Sequence, residues 1–171
     1  MAIDILGELP ETENGNKYIV VISDYFTKWT HAIALPDQTA QTIADRLMVE
    51  FFSVFGMPQY LHTDQGRQFE SNLFQEVCKL LGIEKTRTSP YRPQSDGMVE
   101  RWNRTIQQML KSFINDNRND WDDHLPYLCM AYRATPHEST GCSPNLMMFG
   151  QENNLPIDVM AGFSPKIQTK Y

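Results

Sequence analysis

The sequence has no long hydrophobic run and only three cysteines, and both absences narrow the classes of protein it can belong to. No stretch approaches about 18 consecutive apolar residues, so no transmembrane helix is expected. The amino-terminal segment lacks a basic start and a long apolar part, which argues against a secretory signal. The cysteines are widely spaced, and neither they nor the four histidines have zinc-ligand spacing. We therefore expect an intracellular protein from a reducing compartment.

The charge is also unevenly distributed. The chain of 171 residues carries a net charge of −6, which argues against a simple nucleic-acid binder. Residues 1–84 hold five basic and twelve acidic side chains, whereas residues 85–111 hold six basic and two acidic ones. This basic segment is either the solvated face of a helix or a surface that contacts nucleic acid. The length and the 41% hydrophobic content of the whole chain are those of one globular domain.

Hydrophobic periodicity predicts an α/β fold with a five-stranded mixed sheet flanked by helices. Runs rich in β-branched and aromatic residues predict strands, and apolar residues at three- and four-residue spacing predict helices. The Asn14-Gly15 pair predicts a hairpin turn between the first two strands. The predicted strands are residues 1–9, 17–25, 30–36, 59–64 and 83–88, and the predicted helices are residues 39–55, 72–82, 97–116 and 121–134.

Three acidic residues stand at positions where a carboxylate needs an explanation. Asp4 lies inside the first predicted strand, Asp64 ends the fourth, and Glu100 lies in the first turn of the long helix. Each also has an ordinary interpretation. Asp4 suits the solvent side of an edge strand, Asp64 suits a turn, and Glu100 favours the positive end of the helix dipole.

The long helix presents Glu100 on one face together with Arg104, Gln107 and Lys111, because residues three and four apart lie on the same side of a helix. Such a face suits a phosphate backbone that leads into a metal site. It equally suits a solvated face with one Glu-Arg pair, and the spacing does not separate the two interpretations.

The element order resembles that of the ribonuclease H-like fold, and five stretches resemble the catalytic core of retroviral-type integrases, in particular those of gypsy-like long-terminal-repeat retrotransposons. Between Asp64 and Glu100 stand 35 residues, a spacing typical of that family. Arg92 and Trp102 depart from the family, which commonly has histidine and phenylalanine there. The five stretches are IDILGELP, GNKYIVVISDYFTKW, HTDQGRQFES, KTRTSPYRPQSDGMVERWNRTI and STGCSPNLMMFG.

The resemblance implies a metal-dependent polynucleotidyl transferase that processes the 3′ ends of element DNA and joins them to target DNA. It implies that Asp4, Asp64 and Glu100 are catalytic and bind Mg²⁺ or Mn²⁺, as two ions. We also expect DNA contacts in the loop 88–97 and on the long helix. The residues expected to contact DNA are Tyr91, Arg92, Gln94, Arg104, Gln107 and Lys111.

The resemblance further implies a core without the flanking domains of a full integrase, with residues 1–150 forming the core and residues 151–171 an extension or the start of a linker. We expect homo-oligomers that act on DNA in the nucleus, without a membrane or a small-molecule cofactor. Two other functions stay open: a domesticated module that binds DNA or protein without catalysis, and another ribonuclease H-like nuclease.

Overall fold

The computed structural model describes residues 1–87, 105, 108 and 119–162. The predicted loop 88–97 and most of the predicted helix 97–116 lie outside these residues. The described strands are β1 Ala2–Leu6, β2 Tyr18–Ser23, β3 Thr30–Leu35, β4 Tyr60–Thr63 and β5 Glu84–Arg87. The described helices are α1 Ala40–Leu47, a π-helical segment Met48–Phe52, α2 Ser53–Phe55, α3 Arg67–Glu70, α4 Asn72–Leu80, α5 Trp121–Ala134, α6 Pro144–Phe149 and α7 Pro156–Met160.

The five strands form one mixed sheet in the order β3-β2-β1-β4-β5. The β1–β2 and β2–β3 pairs are antiparallel, and β1–β4 and β4–β5 are parallel. A turn lies between β1 and β2 as predicted, but its closing hydrogen bond runs from the Gly15 N–H to the Thr12 carbonyl at 2.9 Å, so Glu13 and Asn14 are its central residues. Gly15 follows them at a φ of +80°, which favours glycine. This topology leaves β1 at the centre of the sheet.

The segment between β3 and β4 is helical from Ala40 to Phe55, close to the predicted range. It begins after Thr39, whose hydroxyl accepts a hydrogen bond from the Thr42 backbone N–H at 3.3 Å. It ends at Gly56, which has a φ of +78°. Its apolar stripe, including Ile43, is buried against the sheet.

Hydrophobic residues are buried on both sides of the sheet. We call the side covered by α1 and α4 the α1 face and the side covered by α5 the α5 face. The α1 face includes the buried residues Ile3, Val20, Ile22, Ile33, Leu35, Leu47, Phe51, Leu61, Phe69 and Phe74. The α5 face includes Leu6, Ile19, Val21, Trp121, Leu125 and Leu128.

Helix α5 is tied to the loop between β1 and β2. The Trp121 indole donates a hydrogen bond from Nε1 to the Pro10 carbonyl at 2.7 Å, and Trp121 is fully buried. Beside it, Asp122 Oδ2 accepts hydrogen bonds from Thr12 at 2.8 Å and Asn16 at 2.7 Å. The helix thereby closes the α5 face. Within the described residues, no helix has the length and apolar character that crossing a membrane requires.

Candidate active site

Asp4 lies at the centre of the sheet, so the edge-strand interpretation of this residue is wrong. Its strand β1 has β2 on one side and β4 on the other. Alternation along the strand puts Asp4 on the α5 face with Leu6, whereas Ile3 lies on the α1 face. The carboxylate is half-buried, and its Oδ1 accepts a hydrogen bond from the Ile5 backbone N–H at 2.8 Å. A central strand therefore holds this carboxylate in a fixed direction.

The register of the parallel β1–β4 pair brings Asp64 next to Asp4. Ala2 pairs with His62, and Ile3 pairs with Thr63. Asp64 follows the last of these pairs, so the next step of the same register sets it opposite Asp4. Neighbouring strands are about 4.8 Å apart, and aligned residues of paired strands face the same side. The two carboxylates therefore emerge together on the α5 face.

Asp64 is exposed, and its carboxylate is oriented by the turn that follows it. Oδ1 accepts a hydrogen bond from the Gly66 backbone N–H at 2.9 Å. A Cβ atom at Gly66 would lie 2.9 Å from this same Oδ1 and 2.4 Å from Gln68 Nε2, so a side chain here would force the Asp64 carboxylate and Gln68 to shift. The turn interpretation of Asp64 is thus correct, and it leaves the other carboxylate oxygen available to a ligand.

His62 also lies on this face, two residues before Asp64. Its Nδ1 is hydrogen-bonded to the Thr86 hydroxyl on β5, and the Tyr25 ring meets its ring edge-on at 5.4 Å. Burial lowers the pKa of His62 below its usual value. The sequence predicted no role for it at the site, because the four histidines lack zinc-ligand spacing. The two-residue spacing from Asp64 is the signal that marks His62 as a neighbour of the site, because side chains alternate along a strand.

The arrangement suits a hard divalent cation. Carboxylate oxygens are the donors that Mg²⁺ and Mn²⁺ prefer, and here two carboxylates lie on neighbouring positions, one on β1 and one directly after β4. Within residues 1–87, 105, 108 and 119–162, no group of three or more His, Cys, Asp or Glu side chains forms a metal site. Glu100 and the six predicted DNA-contacting residues lie outside these ranges, so their predicted roles stay predictions.

A mixed sheet in this strand order, with helices on both faces and an acid on the central strand beside one that follows β4, is the arrangement of a ribonuclease H-like protein. The sequence profile of the integrase core domain matches residues 1–93, more than half of the chain. The chain therefore belongs to the integrase core domain family, of the retroviral type.

Two curated relatives support this membership. The chain is 30% identical over 156 residues to the retrovirus-related Pol polyprotein from transposon 412 of Drosophila melanogaster, a match that covers 91% of the chain. It is 41% identical over 137 residues, 80% of the chain, to the Pol polyprotein of Radiation murine leukemia virus (strain Kaplan). These matches span 13% and 23% of the respective polyproteins.

Solved structures share the fold. A chain of the simian T-cell lymphotropic virus intasome, in complex with PP2A regulatory subunit B56 gamma, matches with a TM-score of 0.71 and 23% identity, over 91% of this chain and 56% of that one. The catalytic core domain of BIV integrase matches with a TM-score of 0.66 and 23% identity, over 87% and 93%. The trimeric form of the HTLV-2 integrase catalytic core domain, in complex with magnesium, matches with a TM-score of 0.65 and 21% identity. This match covers 85% of this chain and 94% of that one.

Proposed function

We propose that this chain is the catalytic core of a DNA integrase, a polynucleotidyl transferase that requires a divalent metal. It would process the 3′ ends of element DNA and transfer them to target DNA. The observation that carries the proposal is the adjacency of Asp4, in the middle of the central strand β1, and Asp64, directly after the parallel strand β4, on one face of the sheet. Membership of the integrase core domain family supports the same reaction class.

Asp4, Asp64 and Glu100 would hold the metal, as two ions of Mg²⁺ or Mn²⁺. Bound there, the metal would polarise the scissile phosphate and acidify an attacking water. The HTLV-2 core was solved with magnesium, which supports this choice of cofactor. The protein's own contribution is rigidity: the central strand fixes Asp4, and the Gly66 N–H orients Asp64. Such preorganisation keeps the charges in place as the reaction proceeds.

DNA is the proposed partner, both as element ends and as target. The proposed contacts are those predicted from the sequence, in the loop with Tyr91, Arg92 and Gln94 and on the helix with Arg104, Gln107 and Lys111. The relatives' solved assemblies, an intasome and a trimer, support a homo-oligomer as the active form. Work on chromosomal DNA would require the protein to act in the nucleus. The division into a core of residues 1–150 and an extension of residues 151–171 is part of the same proposal.

A branched DNA that mimics the strand-transfer product tests the activity, with Mn²⁺ supplied. Asp4→Asn, Asp64→Asn and Glu100→Gln should each abolish resolution of the branch. Combining them should cost little more, because groups that act as one unit are not additive. Asp45→Asn is the matched control, since Asp45 lies on the exposed surface of α1.

Full activity in Glu100→Gln would contradict the three-carboxylate site. Inactivity of the wild-type chain, even when it is fused to the flanking domains of another integrase, would favour a domesticated binding module. Cleavage of an RNA–DNA hybrid in preference to branched DNA would favour a different nuclease of this fold.

Metal binding gives a second readout that does not depend on activity. At about 100 times the dissociation constant, a ligand that binds only the folded state stabilises it by about 2.7 kcal/mol. For a chain of this size that corresponds to a rise of roughly 5–10 °C in melting temperature. Asp64→Asn should lose most of this rise, and Asp45→Asn should keep it.

A further inference from the structure

A second charged cluster lies on the opposite face of the sheet from the two carboxylates, and the proposed function does not use it. Glu70 Oε1 accepts a hydrogen bond from Lys85 Nζ at 2.7 Å, and Glu70 Oε2 accepts one from Arg87 Nη2 at 2.6 Å. Arg87 Nε also donates to Oε1, at 3.3 Å. The Arg87–Glu70 pair is therefore bidentate, which fixes the direction of the guanidinium.

Strand alternation places both cations of β5 on the same face of the sheet. Lys85 and Arg87 project to the α1 face, where Glu70 meets them, whereas Thr86 meets His62 on the α5 face. The Lys85 side chain is only 11% exposed, but that of Arg87 is 64% exposed. A guanidinium has five N–H donors, so Arg87 keeps donors for a ligand in solvent after it pairs with Glu70.

The cluster lines a cleft of about 570 Å³ between α4 and β5. Three cations and one carboxylate border it, so the lining has an excess of two positive charges in a chain of net charge −6. Lys79 is exposed on α4 and also lines the cleft. The lining residues are Glu70, Gln75, Cys78, Lys79, Ile83, Lys85 and Arg87.

The cleft also adjoins the proposed reaction centre. Arg87 pairs with Thr63, the residue directly before Asp64. Neighbouring strands are about 4.8 Å apart, so the backbone of Arg87, which lines the cleft, lies next to the strand end that precedes Asp64. A duplex that leaves the two carboxylates on the α5 face and extends past this end of the sheet would meet Arg87 on the α1 face.

We propose that this cleft binds a backbone phosphate of the DNA duplex, with Arg87 and Lys79 as its ligands and Glu70 as the residue that orients Arg87. This inference rests on the proposed function, because it takes DNA as the substrate. The contact is independent of base sequence, as phosphate contacts are. It positions the duplex at the edge of the sheet, beside the strand end of Asp64.

Binding of labelled branched DNA to the full chain, without metal and over a range of salt concentrations, tests the inference. Each lost phosphate contact should reduce the slope of log K against log salt by about 1. Arg87→Gln and Lys79→Gln should each show that loss, and the double variant should lose about 2. Arg46→Gln is the matched control. Arg46 is also exposed and paired with a glutamate, but it borders a cleft beside β3 at the other edge of the sheet.

Glu70→Gln separates a DNA contact from a purely structural ion pair. Glu70→Gln keeps both cations in the cleft and still offers Arg87 one acceptor oxygen, so this variant should keep the salt slope of the wild type, unlike Arg87→Gln. A slope reduced in Glu70→Gln as much as in Arg87→Gln, or an unchanged salt slope in Arg87→Gln with an unchanged melting temperature, would overturn the inference. Inorganic phosphate that raises the melting temperature of the wild type but not of Arg87→Gln, with equal DNA slopes, would reassign the cleft to a free anion.

The two proposals fail separately. If the wild-type chain resolves branched DNA while Arg87→Gln keeps its full salt slope, the cleft assignment is wrong and the catalytic one stands. If the slopes change as expected but the wild type resolves nothing, the cleft stands and the catalytic proposal falls.

Discussion

Gly66 acts on the proposed site without being a ligand, because its N–H holds the Asp64 carboxylate at 2.9 Å. We expect Gly66→Ala to push Oδ1 away and to remove most of the metal-induced rise in melting temperature. The metal-free protein should keep its fold. A calorimetric scan with and without Mn²⁺ measures both effects.

The control for this substitution removes the second close contact. An alanine Cβ would also meet Gln68 Nε2 at 2.4 Å, and Gln68→Ala relieves that contact alone. In the Gln68→Ala background, Gly66→Ala should still impair the metal response. A normal response in the double variant would mean that crowding by Gln68, and not displacement of Asp64, caused the loss.

His31 gives a prediction about pH. Its Nδ1 accepts a hydrogen bond from Arg133 Nη2 at 2.7 Å, and burial together with the charge of Arg133 lowers its pKa to about 4. In the unfolded chain the pKa returns to about 6.5, so the unfolded state binds more protons between these values. Stability from this group is therefore complete above pH 6.5 and is lost as the pH falls towards 4, by on the order of 2 kcal/mol.

Urea unfolding at pH 7, 5.5 and 4.5 measures this loss. His31→Gln keeps an acceptor for Arg133 but has no proton to gain, so its stability should fall less than that of the wild type over the same range. Equal losses in the two proteins would show that other groups govern the acid sensitivity.

At the residue scale, the resemblance to the ribonuclease H-like fold implied that Asp4 and Asp64 share one site, and the β1–β4 register sets them side by side. It did not predict what surrounds them. The His62–Thr86 hydrogen bond and the Gly66 contact depend on the register of β4 against β5 and on a turn geometry. Local sequence patterns do not specify either of these.

Among the elements, α5 is held against the β1–β2 loop by a single carboxylate together with the Trp121 hydrogen bond. Asp122 Oδ2 accepts hydrogen bonds from three side chains of the β1–β2 loop, namely Thr12, Asn14 and Asn16. Burial opposes ionisation, but these hydrogen bonds outweigh it and lower the pKa of Asp122. Thr12 is buried, so its hydroxyl would lose its partner if the carboxylate were removed.

Asp122→Ala should therefore destabilise the protein by about 2–3 kcal/mol, as expected when buried donors lose a charged acceptor. Asp123→Ala is the control, because Asp123 is exposed, and it should change stability by less than about 0.5 kcal/mol. Chemical denaturation measures both variants. Equal stabilities would mean that the loop is held by Trp121 and its hydrogen bond to Pro10 alone.

The sequence predicted long elements better than short ones. Helix α5 has the predicted bounds, and the helix from residue 40 to 55 was predicted as one element, although its middle part Met48–Phe52 is π-helical. A change from i+4 to i+5 hydrogen bonds leaves most of the apolar spacing intact, so periodicity does not report it. Helices α3, α6 and α7 have four to six residues, too few for a periodic signal.

For the molecule as a whole, the sheet separates two hydrophobic cores and contributes side chains to both. Leu61 lies in the core of the α1 face and Leu125 in that of the α5 face, and both are at most 2% exposed. Leu61→Ala and Leu125→Ala should each cost about 2–5 kcal/mol. Because both cores depend on the same strands, both variants should still unfold in a single transition. Unfolding curves from far- and near-ultraviolet circular dichroism should coincide, and separate midpoints would contradict a common core.

The β1–β4 register also predicts which single-residue insertions the chain tolerates. Leu61 anchors β4 in the core, so one extra codon between Leu61 and Asp64 would move the aspartate one place along the strand and turn its carboxylate to the opposite face. A second codon would restore the face but shift the carboxylate by roughly 6.6 Å, the rise of two residues. A codon inserted at the Asn14-Gly15 turn leaves every strand pair aligned. In-frame insertions should thus be tolerated at the turn, whereas those in β4 should remove the metal-induced rise in melting temperature.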